Sequence, residues 1–221
     1  MPKSSQPLTV LTNIGYVVGY SESRKDPVWV CYRLFQVSRL KAPPRPSGFS
    51  VDYRTRAKVS SSDYTGSGYQ RGHQAPNFAI AICYGSAAQA QTFLMSNILP
   101  QRPHLNQEDW ENLERLEIRD YAQRFKEIWV VTGPIFGNTS NRLKIGTEIP
   151  AACYKILVDE VDGKPRMLAF QMGQDVQGTE PLNTFLTSVD EIEEESGLDF
   201  FSDLEDGLEN KLEGEKASGM W

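Results

Sequence analysis

Short β-like runs, separated by loops and by few helical patterns, constrain the fold of this chain more than any other feature. The run at 28–37 alternates Val, Tyr, Leu and Phe with other side chains, which is typical of a strand with a buried face. Asp162-Gly163, between the last two runs, predicts a tight hairpin. Strands outnumber helices and do not alternate strictly with them, so the pattern favours an α+β fold. The runs cover residues 14–20, 28–37, 92–96, 128–133, 154–161 and 167–172.

The clearest helical pattern begins near Asn106 and continues to about Phe125. Large side chains recur there at spacings of three and four residues, which places them on one helix face. A shorter Ala/Gln-rich helix is predicted at 86–91. The stripe of the longer helix consists of Trp110, Leu113, Glu117, Tyr121 and Phe125.

A third helix has clear signals at both ends. Ser188 and Glu191 have the spacing of a capping box, in which each side chain binds the backbone N–H of the other residue. Gly197 is suited to end the helix, because glycine readily adopts the left-handed conformation common at helix C-termini. The sequence therefore predicts a helix between these residues.

Acidic side chains are concentrated at the C-terminal end. The net charge is −6, but residues 190–221 contain twelve acidic and two basic residues, so the remainder carries about +4. A mildly basic body could still present a positive groove to a phosphate backbone. We expect one domain spanning 1–221, with a folded core over about 8–206 and an acidic, mobile tail over about 207–221.

The three cysteines, Cys31, Cys83 and Cys153, lack metal-ligand spacing, and an odd number cannot pair completely. We expect free thiols, with Cys31 and Cys153 buried in strands. No run approaches the roughly 20 apolar residues of a membrane span, so no membrane contact is expected. Residues 1–6 show no apolar segment behind a basic start, so no signal peptide is predicted.

His73 lies in an unusual local context. Arg71 and Gly72 precede it directly, and Pro76 soon ends the segment. An arginine can bind a phosphate oxygen, a glycine permits close approach, and a neutral imidazole beside a phosphodiester can take a proton from water. A packed or surface histidine without chemistry is the alternative for such a residue.

Asn106 and Glu114 form a second candidate group near the start of the long helix. On an ideal helix they are about 80° apart, and helical side chains lean toward the N-terminus, so Glu114 leans toward Asn106. One oxygen ligand with a nearby carboxylate suits Mg²⁺, which keeps several of its waters. The alternatives are a helix N-cap for Asn106 and a solvated carboxylate for Glu114.

Five short segments, in the same order, resemble the DNA/RNA non-specific endonuclease family, which includes secreted bacterial nucleases and mitochondrial endonuclease G. The resemblance covers roughly residues 14–201 and implies a ββα-metal fold, with a central antiparallel sheet flanked by helices. The segments are 71–76, similar to the Asp-Arg-Gly-His signature; 93–101, similar to Ser-Asn-x-x-Pro-Gln; 105–114, similar to Asn-x-x-x-Trp-x-x-Leu-Glu; 130–134; and 188–198.

The resemblance implies a division of roles within the site. By position, His73 is similar to the general base of the family, and Asn106 to its sole direct protein ligand of Mg²⁺ or Mn²⁺. Glu114 is similar to the carboxylate that fixes metal-bound water.

The resemblance also implies polar residues at the scissile phosphate. Asn97 and Arg71 match family residues with catalytic and substrate-binding roles, and Gln101 is a further candidate for substrate binding. Arg45 is the best match for the upstream arginine that stabilises the pentacovalent phosphate.

Two positions depart from the family pattern. Gln70 replaces the leading aspartate of the signature, which keeps hydrogen bonding but removes a negative charge. Ile118 stands four residues after Glu114, where the family often has arginine. Arg115 and Arg119 are nearby, but neither has the same helix angle, so neither is predicted to be catalytic.

The resulting functional hypothesis is a metal-dependent, sugar-non-specific endonuclease that hydrolyses DNA and RNA and leaves 5′-phosphate ends. Contacts through phosphate and metal carry little information on base or 2′-hydroxyl. Gln70 and Ile118 motivate a second hypothesis, a catalytically weakened nucleic-acid-binding protein on the same fold. A phosphodiesterase for small esters is a third.

The resemblance also sets expectations for the protein's surroundings. Relatives include monomers and dimers, so we expect a monomer or a homodimer. Most bacterial relatives are exported, so a secreted or periplasmic location is expected, with the leader missing from this sequence. The acidic tail is expected to be solvated, and a sharper hypothesis is that it competes with nucleic acid for the basic groove.

Overall fold

The computed structural model describes residues 1–137 and 141–221. Within these ranges the strands are β1 Lys3–Ser4, β2 Thr9–Asn13, β3 Tyr16–Ser21, β4 Asp26–Phe35, β5 Gln70–His73, β6 Ile98–Gln101, β7 Glu127–Ile135, β8 Ala152–Val161, β9 Lys164–Gly173, β10 Leu186–Thr187 and β11 Leu198–Asp199.

Seven strands form the main sheet, in the order β10-β9-β8-β7-β4-β3-β2. All of its pairings are antiparallel, so the expected antiparallel sheet is confirmed. The predicted hairpin joins β8 to β9, with Asp162 and Gly163 both at positive φ, 53° and 74°. Positive φ at both central residues gives the turn a twist that matches the twist of the strands.

One long helix, covering residues 105–125, packs on one face of the main sheet. The predicted stripe turns inward, and Trp110, Leu113 and Tyr121 are all buried. These side chains share one core cluster with β4, β8 and β9 residues such as Leu34, Leu157 and Phe170. Burial of the helix stripe against the sheet is the main apolar contribution to this layer.

The opposite face of the sheet is also covered. Helix Val189–Ser196 packs Val189 and Ile192 against Trp29, Tyr154 and Ile156 of the sheet. Its capping box is formed between Ser188 and Glu191, and Gly197 ends it at φ 70°. The predicted signals at both helix ends are therefore confirmed. The remaining helices are Asn77–Tyr84, Ser86–Thr92 and Asp206–Gly214, with 3₁₀ turns at Ser61–Tyr64, Met95–Asn97 and Leu182–Phe185.

A second, two-stranded sheet precedes the long helix in the chain. It pairs β5 with β6 antiparallel, His73 opposite Ile98. The elements follow one another as strand, strand and helix, and β5 lies beside the first turns of the long helix. A hydrogen bond links the two, because the indole Nε1 of Trp110 donates to the carbonyl of His73 at 3.3 Å. This unit positions the candidate site.

Some local predictions are wrong. Residues 92–96 do not form a strand, because Thr92 ends a helix and Met95 begins a 3₁₀ turn, and the strand follows at β6. The cause is the Asn97 amide, which donates to the Thr92 carbonyl at 3.0 Å and closes the turn. Helix Asn77–Tyr84 and strand β5 were not predicted, since both are short and lack clear periodicity.

All three cysteines are free thiols, as predicted. Cys153 is buried, as expected. Cys31 is only partly buried, so the prediction that it is buried is only partly correct. Among the described helices, none is both long and apolar enough to cross a membrane.

The C-terminal segment, predicted to be an acidic, mobile tail, contains a helix and buried side chains. Residues Asp206–Gly214 form a helix with Leu212 and Glu213 buried. The last residue, Trp221, packs its ring 5.4 Å from that of Tyr121, and its carbonyl accepts a hydrogen bond of 2.7 Å from Arg124. The acidic composition of the segment predicted a solvated tail. Leu212 and Trp221 are too few and too far apart to give a periodic apolar pattern.

We predict that Trp221→Ala lowers the free energy of unfolding by about 1–3 kcal/mol, less than the ~3–5 kcal/mol typical of a fully buried aromatic residue, since Trp221 is half-buried. Urea denaturation measures the change, and Tyr53→Ala, which truncates a side chain that is 79% exposed, is the control. Equal urea midpoints for wild type and Trp221→Ala would mean that the tail is frayed after all.

Candidate functional site

Close packing between β5 and β6 fixes the strand that carries His73. Gly72 faces Leu99 across the strand pair, and the side-chain amide of Gln101 lies directly against its α-carbon. A Cβ at position 72 would overlap with that amide, so only glycine fits beneath it. The glycine of the signature therefore serves packing here.

His73 lies in an aromatic pocket. Its ring centroid is 5.4 Å from Phe49 and 4.9 Å from Phe93, and its Nε2 is buried with no hydrogen-bond partner among the described residues. Burial, followed by the positive charge of Arg45, lowers the pKa of His73 to about 3. The imidazole is therefore neutral at neutral pH, and an unpaired ring nitrogen can accept a proton.

Two of the predicted substrate contacts are not in the cleft. Asn97 is fully buried, and its amide accepts from the Ala75 N–H at 2.9 Å and donates to the Ala75 carbonyl at 3.1 Å. Gln101 is fully buried as well and donates to the Cys153 thiol at 3.4 Å. The expectation of direct substrate contact is therefore wrong for both, because their amides are inside the protein and position the His73 segment.

Asn106 is placed by the residue that departs from the family signature. Its Nδ2 donates to Oε1 of Gln70 at 2.7 Å, and no described group donates to its Oδ1. Its backbone N–H donates to the Arg102 carbonyl at 2.9 Å, so Asn106 lies within the helix and is not an N-cap. Gln70 thus orients the Asn106 amide with its carbonyl oxygen available for a ligand.

A π-helical turn, Leu105–Asp109, changes the helix geometry between Asn106 and Glu114. A π turn bonds residue i to i+5, and so it holds one residue more than an α turn. The angle between the side chains of Asn106 and Glu114 around the helix axis is therefore smaller than the ~80° of an ideal helix. Both line the same cleft.

A second π turn, Glu117–Tyr121, follows Glu114. An α turn relates a residue to the one four positions later, and a π turn to the one five positions later. Arg119, five residues after Glu114, lines the cleft, whereas Ile118, four residues after it, is buried in the core. An arginine is therefore present at the cleft one residue beyond position 118.

Beneath Glu114 lies a fully buried ion pair. The Nζ of Lys155 on β8 is 2.6 Å from a carboxylate oxygen of Glu117 and 3.1 Å from the Tyr32 hydroxyl, which donates to Glu117 at 2.7 Å. The same ammonium is 4.0 Å from Oε1 of Glu114. It also lies 4.8 Å from the Trp110 ring centroid, a cation–π contact.

Opposing effects act on the pKa of the Glu114 carboxyl. Burial first, and then the charges of Glu117 and Glu111, raise the pKa of its carboxyl to about 8 against the lowering effect of Lys155. Its Oε1 is buried and has no hydrogen-bond partner within the described chain. A carboxylate in this state gains stability from an added cation or an ordered water.

The site residues line a cleft of about 840 Å³. Arg71 is held in it by hydrogen bonds from its guanidinium to the Ser61 carbonyl, with the Nε contact at 3.1 Å. Arg45 reaches it from the proline-rich loop, stacked 5.2 Å from the Phe93 ring centroid. The cleft is bordered by Arg45, Phe49, Tyr69, Gln70, Arg71, His73, Asn106, Glu111, Glu114, Arg115 and Arg119, among others.

The donor groups in the cleft fit a hard divalent cation. Asn106 offers an amide oxygen and Glu114 an unpaired carboxylate oxygen, both of them preferred by Mg²⁺ and Mn²⁺. Among the described residues, no three His, Cys, Asp or Glu side chains cluster in this cleft. A metal in this cleft would therefore keep most of its water ligands, as Mg²⁺ commonly does.

Nucleases of the ββα-metal type are built on this arrangement of two antiparallel strands and a helix. The arginines suit phosphate, and the amide and carboxylate oxygens suit a metal. The fold and the donor groups together define the class.

The family model described as DNA/RNA non-specific endonuclease matches residues 2–207. The chain belongs to this family, as the sequence motifs indicated. It is therefore an enzyme that hydrolyses nucleic acid, a non-specific DNA/RNA endonuclease of a family that depends on divalent metal.

Individual relatives agree. The chain is 30% identical over 210 residues to "Nuclease" of Nostoc sp. (strain PCC 7120 / SAG 25.82 / UTEX 2576), covering 90% of this chain and 75% of the relative. It is 30% identical over 206 residues to "Endonuclease G, mitochondrial" of Homo sapiens, covering 86% and 68%. A crystal structure of the EndoG/EndoGI complex matches with a TM-score of 0.78 at 25% identity, over 89% of this chain and 86% of that chain.

Sequence reasoning missed three features of the site: Lys155, the Gln70–Asn106 hydrogen bond and Arg119 as a cleft residue. A lysine inside the apolar run at 154–161 was a usable signal, because an unpaired charge is not tolerated between buried neighbours. The other two depend on contacts across the fold and on π turns, which leave no pattern in the sequence.

We predict that Lys155→Met lowers the free energy of unfolding by about 3–5 kcal/mol, because Glu117 is then left buried without its cation. The double variant Lys155→Met with Glu117→Gln should recover at least half of that loss. Urea denaturation measures both, with Lys164→Met, an exposed lysine, as the control. A single variant as stable as the control would mean that the pair contributes nothing.

Proposed function

We propose that this enzyme uses His73 as general base in a Mg²⁺- or Mn²⁺-dependent hydrolysis of DNA and RNA that leaves 5′-phosphate and 3′-hydroxyl ends. One observation carries the proposal: the unpaired Nε2 of His73, the free amide oxygen of Asn106 and the unpaired oxygen of Glu114 belong to residues that line one arginine-bordered cleft.

The His73 environment suits a base. A neutral imidazole takes a proton from a water molecule, whose oxygen then attacks phosphorus as the bond to the 3′ oxygen breaks, and the 3′ oxygen takes up a proton from a second water molecule. The aromatic rings of Phe49 and Phe93 pack against the imidazole, and this burial, with the charge of Arg45, keeps the imidazole unprotonated. The carbonyl of His73 accepts from Trp110, which keeps the base in register with the long helix.

The metal site is formed by the helix side of the cleft. Asn106 would hold the ion directly, and Glu114 would orient one of its waters. A divalent ion bound there supplies Lewis-acid neutralisation of charge on phosphate oxygens. Gln70 contributes by keeping the Asn106 amide in the required orientation.

Arg45, Arg71 and Arg119 are proposed to bind phosphate. Their guanidinium groups border the cleft, and phosphate contacts carry no base or sugar information, which accounts for acceptance of both DNA and RNA. Arg115 also borders the cleft, but its charge is paired with Glu111 at 2.6 Å. A monomeric or homodimeric state and a secreted or periplasmic location stay predictions from the resemblance.

The hypothesis of a weakened binding protein rested on Gln70 and Ile118. Gln70 keeps a hydrogen bond to Asn106, and Arg119 borders the cleft in place of position 118. Neither Gln70 nor Ile118 therefore favours the weakened binding protein over an active nuclease. The cleavage experiment below distinguishes these two hypotheses.

We predict that His73→Ala lowers the rate of nucleic-acid cleavage by about 10²–10⁴-fold, the usual contribution of proton transfer by a general base. Nicking of supercoiled plasmid and cleavage of a structured RNA measure it, each with Mg²⁺, Mn²⁺ or EDTA. His104→Ala, which removes the other, exposed histidine, should keep wild-type rates. End-labelling of the products with and without phosphatase identifies 5′-phosphates.

The His73 assignment would be wrong if His73→Ala cut within a few-fold of wild type. Binding of DNA by wild type without cleavage in either metal would favour the weakened-nuclease hypothesis. Cleavage in EDTA at the rate seen with metal would overturn the metal role.

We further predict that Arg119→Ala lowers kcat/KM on plasmid by at least about tenfold, since a charge-assisted hydrogen bond to phosphate contributes roughly 1.5–3 kcal/mol. Arg115→Ala, the matched control, should have a smaller effect because Glu111 already neutralises Arg115. Initial rates over a range of substrate concentrations measure both. Equal losses in the two variants would contradict a specific role for Arg119.

A further inference from the structure

Three carboxylates lie together outside the nuclease cleft, where the two C-terminal helices meet. Asp190 and Glu193 belong to helix Val189–Ser196, and Glu213 to helix Asp206–Gly214. One oxygen atom from each residue lies within 4.8 Å of the others. None of the three lines the cleft of His73.

Glu213 is the unusual member of this cluster. Its side chain is buried, with the residue only 5% exposed, and its Oε1 has no hydrogen-bond partner in the described chain. A buried polar atom without a partner is costly, and each instance in a folded protein calls for an explanation. One carboxylate oxygen of Glu213 lies within 4.8 Å of an oxygen of Asp190 and of an oxygen of Glu193.

The surrounding charges do not explain the cluster. Burial, then Glu193, Glu209 and Asp190, raise the pKa of Glu213 to about 7, and only the Phe201 backbone N–H lowers it. Glu193 has one oxygen committed to the Phe200 N–H at 2.8 Å, and the nearby acids raise its pKa too. None of the ion pairs in the described part of the chain involves Asp190, Glu193 or Glu213.

From this geometry we propose that Asp190, Glu193 and Glu213 form a second cation site that binds Ca²⁺ and joins the two C-terminal helices. Calcium accepts six to eight oxygen ligands at about 2.3–2.6 Å, so ligand oxygens on opposite sides of the ion are about 5 Å apart. Oxygen atoms within 4.8 Å of one another can surround one such ion. Ca²⁺ tolerates the irregular coordination that side chains from two separate helices provide, whereas Mg²⁺ requires a nearly ideal octahedron.

The site is independent of catalysis. It connects helix Asp206–Gly214, which leads to Trp221 on the long helix, with helix Val189–Ser196 on the other face of the sheet. A bound ion replaces mutual repulsion of three carboxylates by attraction to one centre. Its expected effect is greater stability of the C-terminal segment, with no change in the nuclease chemistry.

Calorimetric titration of the metal-free protein with CaCl₂ tests the proposal. The Asn106→Ala variant removes the direct ligand of the nuclease site, so binding that remains in it reports on the second site. We expect one Ca²⁺ per chain in Asn106→Ala, and a loss of affinity of at least tenfold when Glu213→Gln or Asp190→Asn is added. Glu194→Gln, an exposed acid on the same helix with the same change of charge, should leave the affinity unchanged.

Thermal unfolding gives a second readout. At 100-fold excess over the dissociation constant, Ca²⁺ should raise the Tm of Asn106→Ala by roughly 5–10 °C, and the further variant Glu213→Gln should abolish that shift. Without calcium, Glu213→Gln should melt no lower than its parent, because it removes repulsion. A missing response is then not a folding defect.

The proposal is overturned if Asn106→Ala binds no Ca²⁺ at concentrations about tenfold above the ~1 mM dissociation constants of the weakest protein sites. It is also overturned if Glu213→Gln leaves both the affinity and the Tm shift intact. In either case the carboxylates would be an acidic cluster that shares protons.

Discussion

The buried ion pair of Lys155 with Glu117 joins the middle of the main sheet to the long helix, and the geometry of the cleft depends on it. The pair lies among apolar residues, where neither charge is stable alone, so each requires the other in place. Tyr32 supplies a further hydrogen bond from β4. These contacts tie the helix to the sheet, and Asn106 and Glu114 are positioned with the helix.

The other half of the cleft is fixed by uncharged contacts. Gln101 packs on Gly72, Asn97 binds both backbone groups of Ala75, and Trp110 holds the His73 carbonyl. These contacts place His73 on a short strand pair whose own hydrogen bonds would be too few to hold it. The predicted base and the predicted metal ligand thus belong to separate units that meet only in the folded protein.

Much of this could be read from the sequence, but unevenly. Long, regular signals were sufficient for five of the seven strands of the main sheet, the long helix and the capping box at Ser188, because each arises from local periodicity or local hydrogen bonding. His73, Asn106 and Glu114 came from motif spacing. Asn97 and Gln101 were misread because a motif does not distinguish an amide that contacts substrate from one that supports the chain. The folded C-terminus was missed because Trp221 acts through contacts about a hundred residues distant in sequence.

The two π turns of the long helix have a consequence for comparisons between relatives. Each inserts a residue into the helical repeat, so residues at equal distances along two aligned chains can point in different directions. In this chain Ile118 is buried in the core and Arg119 borders the cleft, so a comparison of position 118 alone misses the guanidinium of the next residue. In this family, inventories of active-site residues are therefore better compiled by superposition than by column.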